Sequence, residues 1–401
     1  MIWTVIHYLD IILWIIVTAS AAYVCFFAII SLFYSKDYTF IYNRSPHLVG
    51  HELRRFLILF PAYKEDRVIV NSVEQFLEQD YPEENYTIAV ISDHMQPETN
   101  KSLAGLPIQL LQPTFEKSSK AKAMQYAINL LKEQAARDKT KAFDYVVVLD
   151  ADNVVQPTFL SQLNVLCNSG YEAIQCHRCA KNANNDVAVL DGVSEEINNT
   201  LFRKAHNRLG LSSALIGSGM CFKYNLFHQN VFMLTTAGED REMEALLLRQ
   251  NVFIKYAADI HVFDEKVSNQ DNFQRQRMRW MTAQIQSLLN MLPQIPHALV
   301  HGNINFVDKT IQQALIPRSM LIMILGIMSV LITVVNPVWS IKWWILFGCL
   351  GLSLFIAIPG PLRIRSFSKA LAIPSLVLRM IKNILHIDHK NTEFIHTEHD
   401  K

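Results

Sequence analysis

Two carboxylates, Asp150 and Asp152, end the apolar run "DYVVVLDAD". Close like charges raise each other's pKa, and a hard divalent cation bridging to a diphosphate would relieve that repulsion. The plainer alternative is a helix cap at Asp152, ahead of a helix starting near Pro157. Asp93 ends a similar run, "YTIAVISD", where it is either a turn residue or a ligand contact. Gly238-Glu239-Asp240 opens the helical stretch "EDREMEALLLRQ". Its acids either complement the positive end of the helix or supply a general base for an acceptor hydroxyl. The fourth group is "NFQRQRMRW", residues 272–280. On a helix, Gln276, Arg279 and Trp280 share one face. An indole offers a flat apolar surface to a sugar ring, and a guanidinium can clamp a diphosphate bidentately. A basic amphipathic helix resting on anionic lipid is the alternative.

The elements that must position these residues alternate. "RFLILFPAY", "YTIAVISD", residues 108–111, "DYVVVLDAD" and "YEAIQCHR" have the composition of strands. "DRVIVNSVEQFLEQ" and "KSSKAKAMQYAINLLKEQ" have helical spacing between them. The order predicts an α/β domain with a mainly parallel sheet and helices on both faces. Such sheets bind ligands at the carboxyl ends of their strands, where Ala62-Tyr63, Asp93 and Asp150-Ala151-Asp152 stand. Neither GxGxxG nor GxxxxGK[ST] occurs, which excludes the usual dinucleotide and P-loop signatures.

Half of the 401 residues are hydrophobic, and they are concentrated in blocks. Residues 8–33 carry no charge after Asp10, enough chain to cross a bilayer core of about 30 Å. Residues 1–34 are therefore expected to be a retained anchor. Residues 55–289 form the soluble domain, and residues 290–401 a membrane region. The latter contains spans near 320–335 and 343–358, with Pro337, Trp339 and Lys342 in the turn between them. Residues 285–300 and 370–385 are candidates for interfacial helices, the second followed by a cytosolic tail. Arg44, Arg54 and Arg55 follow the first span, and Arg363, Arg365 and Lys369 follow the last. By the positive-inside rule the soluble domain is cytoplasmic, in an integral protein of the cell (inner) membrane. A net charge of +1 gives no reason to expect nucleic acid. Six cysteines form no disulfide framework, and Cys176-His177-Arg178-Cys179 lacks the second pair that would complete a zinc site.

The ordered series Asp93, Asp150-x-Asp152, Glu239-Asp240 and Gln276-x-x-Arg279-Trp280 resembles the membrane-embedded family 2 glycosyltransferases, the cellulose, hyaluronan, chitin and poly-N-acetylglucosamine synthases. "LFPAYKED" is similar to that family's first strand and loop, with Lys64 where Asn is usual. "SKAKAMQYAI" is similar to its KAxALN helix, and "IGSGM", residues 216–220, to its acceptor-site loop. The resemblance covers about 230 residues and implies a GT-A fold with about three transmembrane helices plus interfacial ones. It implies that Ala62, Tyr63, Glu65 and Asp93 hold the base and ribose of a UDP-sugar, with Lys120, Asp150 and Arg279 near the diphosphate. Asp150 and Asp152 would hold Mg²⁺ or Mn²⁺. Asp240, beside Glu239, would be the base, and Gly217, Ser218, Gly219, Gln276 and Trp280 would contact the acceptor.

The implied reaction is inverting transfer to a growing β-linked polysaccharide. The chain departs from the pattern in reading Met-Thr-Ala-Gln after Trp280, where a Gly often follows, and in its small number of spans. These departures keep open a single-sugar transfer to a lipid carrier or glycolipid, a homo-oligomer or separate export partner, and a catalytically inactive donor-binding subunit.

Overall fold

The computed structural model describes residues 2–33, 52–138, 142–181, 186–236, 238–265, 270–360 and 362–363. The candidate interfacial helix at 370–385 and the tail lie outside the described residues. Eight strands form one sheet: β1 (Phe56–Tyr63), β2 (Tyr86–Asp93), β3 (Gln109–Leu111), β4 (Tyr145–Val148), β5 (Val154–Val155), β6 (Ala173–Ala180), β7 (Met220–Lys223) and β8 (Ile254–Asp264). Their spatial order is β3-β2-β1-β4-β7-β6-β8-β5. Pairing is parallel from β3 through β4 and again between β6 and β8. β7 runs antiparallel to both of its neighbours, and β5 antiparallel to β8, so the sheet is mixed.

The apolar runs become strands because both faces of the sheet are covered. Phe56, Ile58 and Phe60 face one core cluster with the helices Ile69–Phe76 and Phe159–Asn168. Leu57 and Leu59 face a second cluster with the helices Lys120–Asp138, Tyr224–Val231 and Glu239–Arg249. Alternate residues of one strand thus serve two cores, as a period of two requires.

β7 and β8 fall outside the sequence reading. β8 is the longest strand, yet Lys255, Asp259 and His261 are only partly buried or exposed and interrupt its apolar pattern.

Among the described residues, three helices are long and apolar enough to cross a membrane: Trp3–Ile30, Arg318–Val335 and Pro337–Ala357. The connection between the last two is shorter than the sequence reading has it. Asn336 caps the third helix by accepting from Val338 and Trp339 N–H at 3.0 and 3.3 Å, with Pro337 in its first turn. Trp339 and Lys342 therefore belong to the helix. Asp10 is buried between the spans, where it accepts from Lys342 Nζ at 2.5 Å and Trp343 Nε1 at 2.7 Å. That pairing explains how a charge is tolerated in the first span.

The chain passes from the α/β domain to the second of these apolar helices through helices at 270–291, 295–300 and 304–314. Ile285, Leu289, Leu292, Leu299, Val300, Ile304 and Ile311 are exposed along them.

Candidate active site

Lys120 is the hub. It begins the helix Lys120–Asp138, and its ammonium bonds the Asp150 carboxylate, Gly217 O at 2.5 Å and, at 3.7 Å, Glu239 Oε1. Four segments far apart in sequence thus meet at one cation. Burial pulls the Lys120 ammonium down, but Asp150, Glu239 and Asp240 outweigh it and hold its pKa above the ordinary lysine value. Glu239 is pushed from 4.5 to about 7, first by burial and then by Asp240 and Asp150, against the pull of Lys120. Asp240 begins the same helix. Its Oδ1 accepts from Arg241 N–H at 2.8 Å, and its Oδ2 is the nearest atom to a Cβ built on Gly217, at 3.6 Å. Gly217 has φ of +78°, so a side chain there would be strained as well as close to the carboxylates.

Asp150 and Asp152 lie just beyond β4, on a turn that Asn153 organises by accepting from Asp150 N–H at 2.9 Å. Asp152 accepts from Asn153 Nδ2 and from Glu265 N–H, both at 3.0 Å, which ties the turn to the end of β8. The loop at 216–219 is stapled to the same turn. Ser218 Oγ accepts from Asp150 N–H at 3.1 Å and bonds Asn153 Oδ1, while Gly219 N–H donates to Val148 O at 2.9 Å. Ser218 is fully buried, so its hydroxyl serves the wall of the site. Gly219 faces Val262 and Cys176, and Gly217 faces the carboxylates.

The second cluster is one strand-width away, at the ends of β1 and β2, where Tyr63 and Asp93 are paired in register. Asp93 is buried and bonds His94 Nδ1 at 2.5 Å, and the His94 ring packs edge-on against Tyr63. Lys64 N–H donates to Asp93 O at 3.2 Å, and the Lys64 ammonium lies 5.2 Å from the centre of the Tyr63 ring. Lys64 and His94 both have φ of 56°, an uncommon backbone for residues with side chains. Ala62 is buried, and Glu65 N–H reaches Met95 Sδ at 3.1 Å. His94 was missed by the sequence reading, which carried no signal for it beyond its place after Asp93.

Gln276 and Arg279 lie on the helix Gln270–Met291, but their side chains fall outside the described residues. Trp280 is half-buried on that helix. A Cβ on Gly238 would come within 3.1 Å of Ala283 Cβ, so the helix crosses directly over the start of the Glu239-Asp240 turn, three residues beyond Trp280.

Sequence reasoning also missed Arg178 and Asp264. Arg178 Nε donates to Asp264 Oδ2 at 2.7 Å, and Nη1 reaches Ile216 O at 3.4 Å. Burial pulls the Arg178 guanidinium down, but Asp264, Glu195 and Asp150 hold its pKa above the ordinary value.

A mixed sheet with a parallel half, acidic residues past its strand ends and a basic residue among them is the GT-A architecture. The model of "Glycosyltransferase like family 2" matches residues 54–283, more than half of the chain, and the chain belongs to that family. Among solved structures it is similar to mannosyltransferase PcManGT from Pyrobaculum calidifontis, solved with GDP-Man and Mn²⁺. The identity is 13%, the TM-score 0.50, and the match covers 93% of this chain and all of the other. It also matches residues 1–349 of S. aureus TarS at 12% identity and a TM-score of 0.43, over 84% of this chain and 93% of the other. No curated protein matches the sequence.

Proposed function

We propose that the protein is a membrane-bound inverting glycosyltransferase that moves a sugar from a UDP-sugar to a growing β-linked polysaccharide. The observation that carries this reading is Lys120, held among Asp150, Glu239 and Gly217 O in a family 2 chain. An ammonium so placed can exchange a carboxylate for a departing diphosphate. Asp150 and Asp152 suit Mg²⁺ or Mn²⁺, since both offer hard oxygen donors and the Asp150 side chain keeps a third of its surface exposed. Bound there, the ion would neutralise charge developing on the diphosphate.

Asp240 Oδ2 takes the proton of the acceptor hydroxyl, whose oxygen then bonds the anomeric carbon as the bond from that carbon to the diphosphate breaks. UDP leaves with the bonding electron pair, and the anomeric configuration inverts. Lys120 and Arg279 receive the charge that develops on the diphosphate. Tyr63, Glu65 and Asp93, beside Ala62, hold the base and ribose. Trp280 and Gln276, on a helix that crosses the Glu239-Asp240 turn, position the acceptor with Gly217. The protein is integral to the cell (inner) membrane, with the domain at 55–289 on its cytoplasmic side.

A second reading, single-sugar transfer to a lipid-linked acceptor, is favoured by the three candidate spans among the described residues. A homo-oligomer or an export partner would otherwise have to supply the rest of a channel. Radiolabel transfer by the protein in lipid separates these readings. The panel is UDP-sugars and GDP-mannose with Mn²⁺ or Mg²⁺, and the products are sized. A long glycosidase-sensitive polymer supports the first reading, and an organic-extractable single-sugar product the second. Asp240→Asn should abolish transfer and keep UDP binding. Unchanged transfer in that variant would overturn the assignment of the base.

A further inference from the structure

Away from the donor site, β6 and β8 bring together three soft-ligand side chains. His177 and His261 are cross-strand partners in the parallel pair, and Cys179 lies two residues beyond His177 on the same strand. One ligand atom from each of His177, Cys179 and His261 lies within 4.8 Å of the other two, and all three residues are partly buried. A bulge between Cys176 and His177 separates the trio from Cys176, which is fully buried in the sheet core. The CxxC spacing is therefore misleading. The cluster contains one of those cysteines and draws its third member from a strand about 80 residues away.

We propose that His177, Cys179 and His261 form a transition-metal site of the zinc class, distinct from the Asp150-Asp152 pair. The second contacts of the trio have the pattern such a site needs. His177 Nδ1 donates to Ala258 O at 2.8 Å, which fixes the ring and directs Nε2 as the ligating atom. Glu196 lies on Nε2 at 3.0 and 3.1 Å, close to the roughly 3.3 Å expected between nitrogen and oxygen ligands of one tetrahedral zinc. Glu196 or a water takes the fourth position. Drawing the trio to tetrahedral spacing requires inward side-chain shifts of up to about 1 Å, since the nitrogen–sulfur edge is roughly 3.6 Å. Cys179 is a free thiol, and binding transfers its proton and any proton on His177 Nε2 to solvent. Thiolate with imidazoles selects zinc, whereas the paired aspartates select hard ions, so the two sites sort different metals. Zinc would join β6, β8 and the helix Asp186–Asn198, which carries Glu196, next to Arg178 and its partner Asp264.

The alternative is a bare His177–Glu196 ion pair that needs no metal. The test uses the full-length protein purified in detergent without chelator, its metal measured by mass spectrometry. Co²⁺ binding is then followed by absorption, where a thiolate ligand gives a near-ultraviolet charge-transfer band. The expected result is one zinc per chain and a thiolate band with Co²⁺. Cys179→Ser should lose the band, and His261→Gln should bind zinc at least about a hundredfold more weakly. Asp152→Asn should retain both zinc and band. Circular dichroism and thermal melting confirm that each variant is folded, and His177→Gln replaces any that is not. No zinc in the wild type, a Co²⁺ complex without the thiolate band, or zinc retained in folded Cys179→Ser and His261→Gln would each overturn the site.

Discussion

Glu239→Gln isolates one electrostatic cost of the active site. Burial and the neighbouring carboxylates raise the Glu239 pKa from 4.5 to about 7. Below pH 4.5 the folded and unfolded chains are both protonated at this position, and it adds no pH dependence. Between 4.5 and about 7 the unfolded chain ionises first, so the wild type loses stability as pH rises. Above 7 both states are ionised and the loss levels off. The whole interval is worth about 3 kcal/mol as a ceiling. The side chain is only 13% exposed, so solvent screens little of it. Glu239→Gln lacks this titration, so the gap between variant and wild type should open between pH 5 and pH 8 in the variant's favour. At roughly 2–4 °C per kcal/mol for a domain of this size, the gap grows by no more than about 6–12 °C. Thermal unfolding in detergent with EDTA and no nucleotide, across that pH range, measures it. A difference independent of pH, or one that closes as pH rises, would refute the reasoning.

Asp264→Asn leaves the Arg178 guanidinium without its buried partner and should cost about 3–5 kcal/mol, seen as a lower melting temperature. Gly219→Ala meets both a φ of +64° and a Val262 methyl 3.0 Å from the new Cβ. It should cost at least about 1–2 kcal/mol from the backbone alone, read from the same melts. Tyr23→Phe removes a hydroxyl that donates to Asp308 Oδ1 at 2.7 Å and lies 2.9 Å from His206 Nε2. A loss of about 1–3 kcal/mol is expected, and a stability equal to wild type would count against that network.

β1, β2 and β4 were legible because they are buried on both faces, and β3 and β6 were read from shorter apolar runs. β1, β2 and β4 are largely apolar runs, and Asp93, Asp150 and Asp152 are conspicuous at the ends of the latter two. β8 was not legible, since its inward residues alternate with Lys255, Asp259 and His261 and it pairs with β6 about 80 residues away. The partnership of Arg178 with Asp264 and the His177–Cys179–His261 cluster depend on that pairing and were hidden with it. The helix start at Pro337 was missed for a local reason: proline reads as a breaker, yet in a first turn behind an Asn cap it initiates. Ser218 shows a different limit. The likeness of residues 216–220 to an acceptor-site loop carries no sign that Ser218 turns inward, where it shares the Asp150 N–H with Asn153 and bonds Asn153 Oδ1.

The N-terminal apolar helix is packed into this fold. His206 is fully buried, with its ring stacked on Phe27 of the first span at 3.7 Å between centres. Asp308, on the helix Ile304–Ala314, accepts from Tyr23 and lies 3.2 Å from His206 Nε2. The next residue, Lys309, is buried 2.9 Å from Glu244, whose other oxygen accepts from Leu215 N–H at 2.7 Å. Leu215 leads into the 216–219 loop, and Glu244 stands one turn beyond Asp240 on the same helix. Apolar packing agrees with this polar path, because Val193, Ile197, Leu201 and Ala205 of the soluble domain share a core with Val17, Ala21, Val24 and Phe27. A fragment lacking residues 1–34 would expose that apolar surface and take from Asp308 the hydroxyl of Tyr23. The loop around Lys120 and Asp240 is therefore supported from the side of the first helix as well as from the sheet, which gives a physical reason for that helix and the α/β domain to form a single structure.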